Sequence, residues 1–167
     1  RFPGKPLADI HGKPMMWHVY QRALESNCFD QVFIATDDIR IAKSCEDHQL
    51  EFLMTRSDHI TGTDRVAECM GLIDADIYVN VQGDEPLIDP KLISLIASSM
   101  KKENLSYVTA CCDFDDEKDL ISPNNVKVVL DANNFAVNFS REVISELHHI
   151  GIYGYSVKLL KQFCMLS

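Results

Sequence analysis

The chain has 167 residues, 46% of them hydrophobic and 25% charged, with a formal net charge of −9. That length and apolar content suit one ordinary globular domain with a real core. The acidic balance argues against a nucleic-acid-binding surface, which needs a basic footprint, and no apolar run approaches the roughly 18 residues that a membrane-spanning helix requires.

The opening stretch "RFPGKPLADI" lacks the apolar core of a signal peptide. "KPMMWHVYQRALES" predicts a helix, with Met16, Val19, Tyr20, Ala23 and Leu24 at helical spacing and Pro14 in its first turn. A short apolar strand, 31–36, ends at Thr36, Asp37 and Asp38, and a second helix is expected over 39–48. A strand over 51–55 and a helix opened by "TGTDR" follow, with Val66, Cys69, Met70 and Ile73 on one face. After a strand at 76–82, "DPKLISLIASSMKK" predicts a helix with Asp89 as cap, Pro90 at the first position and Ile93, Ile96, Ala97 and Met100 inward. Past residue 105 the rhythm changes to a strand "SYVTACC", an acidic loop "DFDDEKD", a hairpin around "DANN" and a strand "HIGIYGYS".

Alternating strands and helices with continuous apolar strands imply an α/β three-layer sandwich on a mixed, mostly parallel sheet. The chain reads as a single domain, 1–167. The six cysteines (Cys28, Cys45, Cys69, Cys111, Cys112, Cys164) show no CxxC pair and no metal-like spacing, so reduced thiols in a cytoplasmic protein are expected.

Open parallel sheets bind ligands at the carboxyl ends of their strands. Three polar clusters fall there: Thr36–Asp38, Thr55–Arg65 and Gln82–Glu85. In "RFPGKPL", Arg1 and Lys5 flank a Pro-Gly turn and could clamp phosphate oxygens, although the spacing is not that of a Walker A loop. Thr61, Gly62 and Thr63 lie at a helix N-terminus, which favours anions. Arg65 follows in the first turn, where a cation opposes the dipole, so a task such as gripping a carboxylate or phosphate is expected of it. In "VNVQGDEPLIDP", Asp84 stands at a strand end between a glycine and, one residue on, a proline, as a candidate ligand for a hard cation such as Mg²⁺. Gln82 shares its strand face and can hydrogen-bond a polar substrate, while Glu85 either supports the metal from behind or solvates the rim. Arg141, His149 and Tyr153 are later candidates, with His149, Gly151 and Tyr153 on one strand face.

The segments "RFPGKPL…GKPM", "ATDD.RI", "MTRSDH.TGTDR.AE", "VNVQGDEPLI", "VKVVLD", "FSR" and "HIGIYGY" occur in this order over nearly the whole chain. Together they closely resemble the 3-deoxy-manno-octulosonate (Kdo) cytidylyltransferase family. The resemblance implies a nucleotidyltransferase fold of the nucleotide-diphospho-sugar transferase type. It implies transfer of CMP from CTP to the anomeric hydroxyl of Kdo with release of pyrophosphate, for lipopolysaccharide core synthesis. Arg1 and Lys5 would hold the triphosphate, with Lys5 and Asp84 catalytic. Asp84 would hold Mg²⁺. Thr55, Gly62, Thr63 and Asp64 would line the nucleotide pocket, and Gln82, Arg65, Arg141, His149 and Tyr153 would surround the sugar. A homodimer is implied too.

Against the family pattern, the chain starts after a first strand and its "PAR" phosphate loop. It stops before an "EQLR" helix and a "VDTPED" segment with a second metal-binding Asp and dimer contacts. Only seven residues separate Arg141 from His149, where relatives carry a longer loop. Alternative substrates are 8-amino-Kdo or another acid sugar such as sialic acid. A different class is a metal-dependent glycosyltransferase, for which the DxD forms are Asp74–Asp76 and Asp113–Asp115. A catalytically dead nucleotide-binding protein is the remaining alternative.

Overall fold

The computed structural model describes residues 4–165. They fall into two compact units: one comprises the chain up to Val108 and again from Ile152 onward, the other Thr109–Gly151.

The first unit opens with a 3-10 turn, Lys5–Leu7, and a small antiparallel pair, β1 (Asp9–Ile10) and β2 (Lys13–Pro14). Helix α1 (Met15–Glu25) follows directly. Then β3 (Ile34–Thr36), α2 (Ile39–Asp47) and β4 (Phe52–Met54) form a strand–helix–strand crossover, and β3 and β4 pair in parallel. Helix α3 (Gly62–Met70), strand β5 (Ile77–Val81) and helix α4 (Pro90–Glu103) come next. The unit also holds the start of β6 (Tyr107–Asp113), the end of β9 (Leu147–Ser156), and α6 (Val157–Cys164).

Local chemistry explains these elements. Asp38, Thr61, Asp89 and Ser156 cap α2, α3, α4 and α6 with side-chain oxygens that accept from N–H groups of the first turn. Asn104, at φ 51°, ends α4 in the left-handed conformation that asparagine tolerates. Met16 and Tyr20 of α1 meet Cys45 of α2 and Leu50, with Ile34 and Phe52 packed against them.

Strand β5 pairs antiparallel with the Ile152–Ser156 half of β9. The faces of that half are covered differently. Tyr155 packs with Ala67 of α3 and Leu160 of α6. Gly154 points the other way: a Cβ there would lie 3.0 Å from Met100 Cγ and 3.1 Å from Ile96 Cγ2 of α4. Helices therefore cover both sides of the strand, and α4 can lie this close because residue 154 has no side chain.

The second unit contains the remainder of β6, a short helix α5 (Glu117–Ile121), the antiparallel hairpin β7 (Lys127–Leu130) with β8 (Ala136–Ser140), and the start of β9. Lys127 of β7 pairs with His148 of β9.

The α/β class and the mixed strand directions match expectation. The parallel share is smaller than the strand–helix rhythm implies: β3–β4 is parallel, while the ladders of β5 and β7 with β9, and of β7 with β8, are antiparallel. Three further differences are local. Pro14 closes β2 and caps α1 instead of lying in its first turn. The acidic loop contains α5, started by Asp116 accepting from the Lys118 N–H. The face Val66–Cys69–Met70–Ile73 is cut short because α3 ends at Met70.

Candidate active site

The stretch that carries Asp84 is a pair of tight turns between β5 and α4. The Glu85 N–H donates to the Gln82 carbonyl at 3.1 Å, and the Ile88 N–H to the Glu85 carbonyl at 3.2 Å. These turns leave Asp84 exposed just beyond the carboxyl end of β5. Lys5 Nζ donates to Asp84 Oδ2 at 2.7 Å, with both side chains roughly half exposed (49% and 40%). An ion pair so wet contributes little to stability. Its interest is chemical, because a cation and an anion face each other at a strand end.

Lys5 owes its place to the turn before it. Gly4 has φ 74°, a left-handed conformation that suits glycine. The guanidinium nitrogens of Arg40 lie 3.9 Å from where a Cβ on Gly4 would sit. Arg40 itself is held by Asp38 through a fork of hydrogen bonds, 3.0 Å from Nε to Oδ1 and 2.5 Å from Nη2 to Oδ2. The side-chain bond to Arg40, followed by the backbone bond from the same residue, pulls the Asp38 carboxyl down to about 2. Arg40 belongs to the "ATDD.RI" stretch, but its place beside Gly4 shows only in the fold.

The strand-end clusters at Thr36–Asp38 and Thr55–Arg65 join. The Thr55 N–H donates to the Thr36 carbonyl at 2.9 Å, continuing the β3–β4 register. Arg65 Nη2 reaches Asp37 Oδ1 at 2.8 Å, and its Nη1 donates to Thr55 Oγ1. The cation in the first turn of α3 thus ties the ends of two strands together. Asp64 completes the capping box of α3: its Oδ2 accepts from the Thr61 N–H at 2.7 Å, while Thr61 Oγ1 accepts from the Asp64 N–H. Those bonds hold the Asp64 carboxyl below its ordinary range. Gly62 begins the helix beside the Asn80 side chain. Thr63 shares a 3.0 Å hydroxyl contact with Tyr155. The loop ahead of α3 has its own anchor, Glu68, which accepts from the Arg56 N–H at 3.0 Å and contacts the His59 ring.

Gln82 and Tyr153 also come together: Gln82 Nε2 donates to the tyrosine hydroxyl at 3.2 Å. Tyr153 stacks with Tyr107 and Tyr155. Burial, reinforced by Tyr155, raises the Tyr153 pKa, so its hydroxyl keeps its proton near neutrality.

Arg141 and His149 lie in the second unit. Arg141 Nη1 donates to the Pro123 and Asn124 carbonyls at 2.9 and 3.1 Å. His149 Nε2 lies 2.8 Å from Thr109 Oγ1, and its ring meets Phe139 edge-on. Burial, then His148, lowers the His149 pKa, which favours the neutral ring. Arg1 lies outside the described residues.

Among the described residues, no group of three or more His, Cys, Asp and Glu side chains is placed to hold a metal ion. Asp84 is a single exposed carboxylate. That donor suits a hard cation that takes one or two carboxylates and completes its shell with substrate phosphates and water.

The cytidylyltransferase family model matches residues 1–165. The 3-deoxy-manno-octulosonate cytidylyltransferase of Thermodesulfovibrio yellowstonii is 42% identical over 186 residues, covering 98% of this chain and 73% of the relative. The enzyme of that name from Escherichia coli is 39% identical, covering 99% and 71%. A solved structure of CMP:2-keto-3-deoxy-manno-octonic acid synthetase complexed with CTP superposes with a TM-score of 0.89 at 39% identity, covering all of this chain and 73% of that one. A UDP-glucose pyrophosphorylase complexed with UDP-glucose, at 14% identity and TM-score 0.71 over 96% of this chain and 71% of that one, shares the fold. On its motifs, its architecture and these likenesses, the chain belongs to the 3-deoxy-manno-octulosonate cytidylyltransferase family.

Proposed function

We propose that the protein transfers CMP from CTP to the anomeric hydroxyl of Kdo and releases pyrophosphate. The observation that carries this reading is the Lys5–Asp84 pair at the carboxyl end of β5, 2.7 Å apart and open to solvent. In the transfer, the sugar hydroxyl oxygen bonds to the α-phosphorus of CTP and loses its proton to solvent water. The bond from that phosphorus to the bridging oxygen breaks, and pyrophosphate carries away the electron pair. Lys5 is the cation that meets the triphosphate and offsets the charge growing on the leaving group. Asp84, an exposed carboxylate, would be the protein's donor to Mg²⁺. When bound, Mg²⁺ supplies Lewis-acid stabilisation of phosphate charge and lowers the pKa of a bound hydroxyl.

The remaining roles follow from chemistry of the side chains. Thr55, Gly62, Thr63 and Asp64 shape the nucleotide pocket, the last as the cap that fixes the start of α3. Gln82 and Tyr153 present an amide and a protonated hydroxyl to the polar sugar. Arg65, Arg141 and His149 serve the acid sugar, with Arg141 as the fork for its carboxylate. Arg1 joins Lys5 at the triphosphate. The family likeness also supports a chain that is one nucleotidyltransferase domain, paired as a homodimer and acting in the cytoplasm for lipopolysaccharide core synthesis. No helix among the described residues is long and apolar enough to cross a membrane.

A binding titration tests the reading against a glycosyltransferase. Binding of CTP with Mg²⁺, and not of a UDP-sugar, is expected; preference for the UDP-sugar would overturn it.

A further inference from the structure

Among the described residues, Lys127 is the one charged residue that is buried, at 0% exposure. Its ammonium donates to three backbone carbonyls: Ser122 at 2.7 Å, Asn125 at 3.0 Å and Arg141 at 3.0 Å. A lysine has three N–H donors and no acceptor, so the set is complete. Burying an ammonium is costly unless its donors are met, and an apolar side chain would fill the same space without that demand.

The partners indicate what the charge is for. Lys127 takes the carbonyls of Ser122 and Asn125, while Arg141 Nη1 takes the two between them, those of Pro123 and Asn124. Two cations thus hold four consecutive carbonyls of one loop. Lys127 also holds the backbone carbonyl of Arg141, just past the end of β8. Arg141 is exposed, and its Nη2 edge is not used in this clamp. That edge of a guanidinium fork is suited to a carboxylate.

We propose that Lys127 is a positioning residue that sets the Arg141 guanidinium for the carboxylate of the acid sugar, by fixing both the Arg141 backbone and the loop on which its Nη1 rests. The proposal rests on the reading of Arg141 given above.

The test compares Lys127→Met, Lys127→Arg, Arg141→Ala and the double variant Lys127→Met/Arg141→Ala in the full chain, by steady-state pyrophosphate release. Lys127→Met is expected to raise the KM for the acid sugar on the order of 10- to 100-fold, with the KM for CTP unchanged. Lys127→Arg keeps the charge and recovers part of the loss. The double variant is no worse than Arg141→Ala alone, because both changes remove one interaction. An unchanged KM for the sugar, with kcat falling only as the folded fraction falls, would overturn the proposal. So would additive losses in the double variant. Where Lys127→Met does not fold, Lys127→Arg carries the same comparison: a sugar KM equal to that of the wild type overturns the proposal, and a selective rise supports it. Wild-type protein that turns over no acid sugar at all would instead sink the underlying reading, and the proposal with it.

Discussion

Lys5 and Asp84, 79 residues apart in sequence, meet at 2.7 Å beyond the carboxyl end of β5. The pair is exposed, so its members are held in place by the turns that carry them more than by each other. Triphosphate and cation would compete for the two partners separately. Asp84→Asn and Lys5→Ala should each lower turnover on the order of 100-fold and leave the melting temperature nearly unchanged. A large drop in melting temperature, with activity intact in the folded fraction, would show the pair to be structural.

Close packing at Gly154 gives a stability prediction. Gly154→Ala places a methyl 3.0 Å from Met100 Cγ and 3.1 Å from Ile96 Cγ2. Overpacking of this kind costs about 1–3 kcal/mol. Chemical denaturation should show that loss, and no loss would mean that α4 shifts freely.

The capping box of α3 is testable in the same way. Thr61→Ala removes the acceptor for the Asp64 N–H and should cost about 1 kcal/mol. Because α3 begins at Gly62 in the nucleotide pocket proposed above, the KM for CTP should rise as well. Loss of stability with an unchanged KM would separate the cap from the pocket.

The first-turn caps and helical periodicities were legible because both are local. Asp89 with Pro90, and Thr61 with Asp64, announce their helices in a few residues. The β1–β2 hairpin was not legible because its turn rests on His11 and Gly12, at φ 52° and 82°, and on a bond from the Gly12 N–H to Asp9, within strands of two residues each. Helix α6 was not legible although Leu160 is fully buried, because it has only 8 residues and follows β9 without a break.

At the site, residue types at a strand end marked Asp84 and Gln82 as candidates, and the Pro-Gly turn marked Lys5. The pairings were not readable: Lys5 meets Asp84 across 79 residues, and Arg65 finds Asp37 only once β3 and β4 lie in register. The role of Lys127, within "VKVVLD", was hidden for a different reason. Its partners are backbone carbonyls, which every residue has and no pattern displays.

His149 adds a pH dependence with a definite sign. Burial holds its folded pKa below the ordinary value near 6.5, so the folded state takes up a proton less readily than the unfolded chain. Its contribution to stability is therefore present above about pH 6.5 and is lost as the pH falls below it. The wild type should lose more melting temperature than His149→Gln on going from pH 7.5 to 5.5. Equal losses would remove His149 from this account.

The most direct measurement is pyrophosphate release by the purified protein supplied with CTP and Mg²⁺, with Kdo, 8-amino-Kdo and sialic acid tested in parallel. Release that requires both CTP and Kdo is the predicted result. Silence with every acid sugar, in protein that binds CTP, would contradict the transfer of CMP that the Lys5–Asp84 site is proposed to perform.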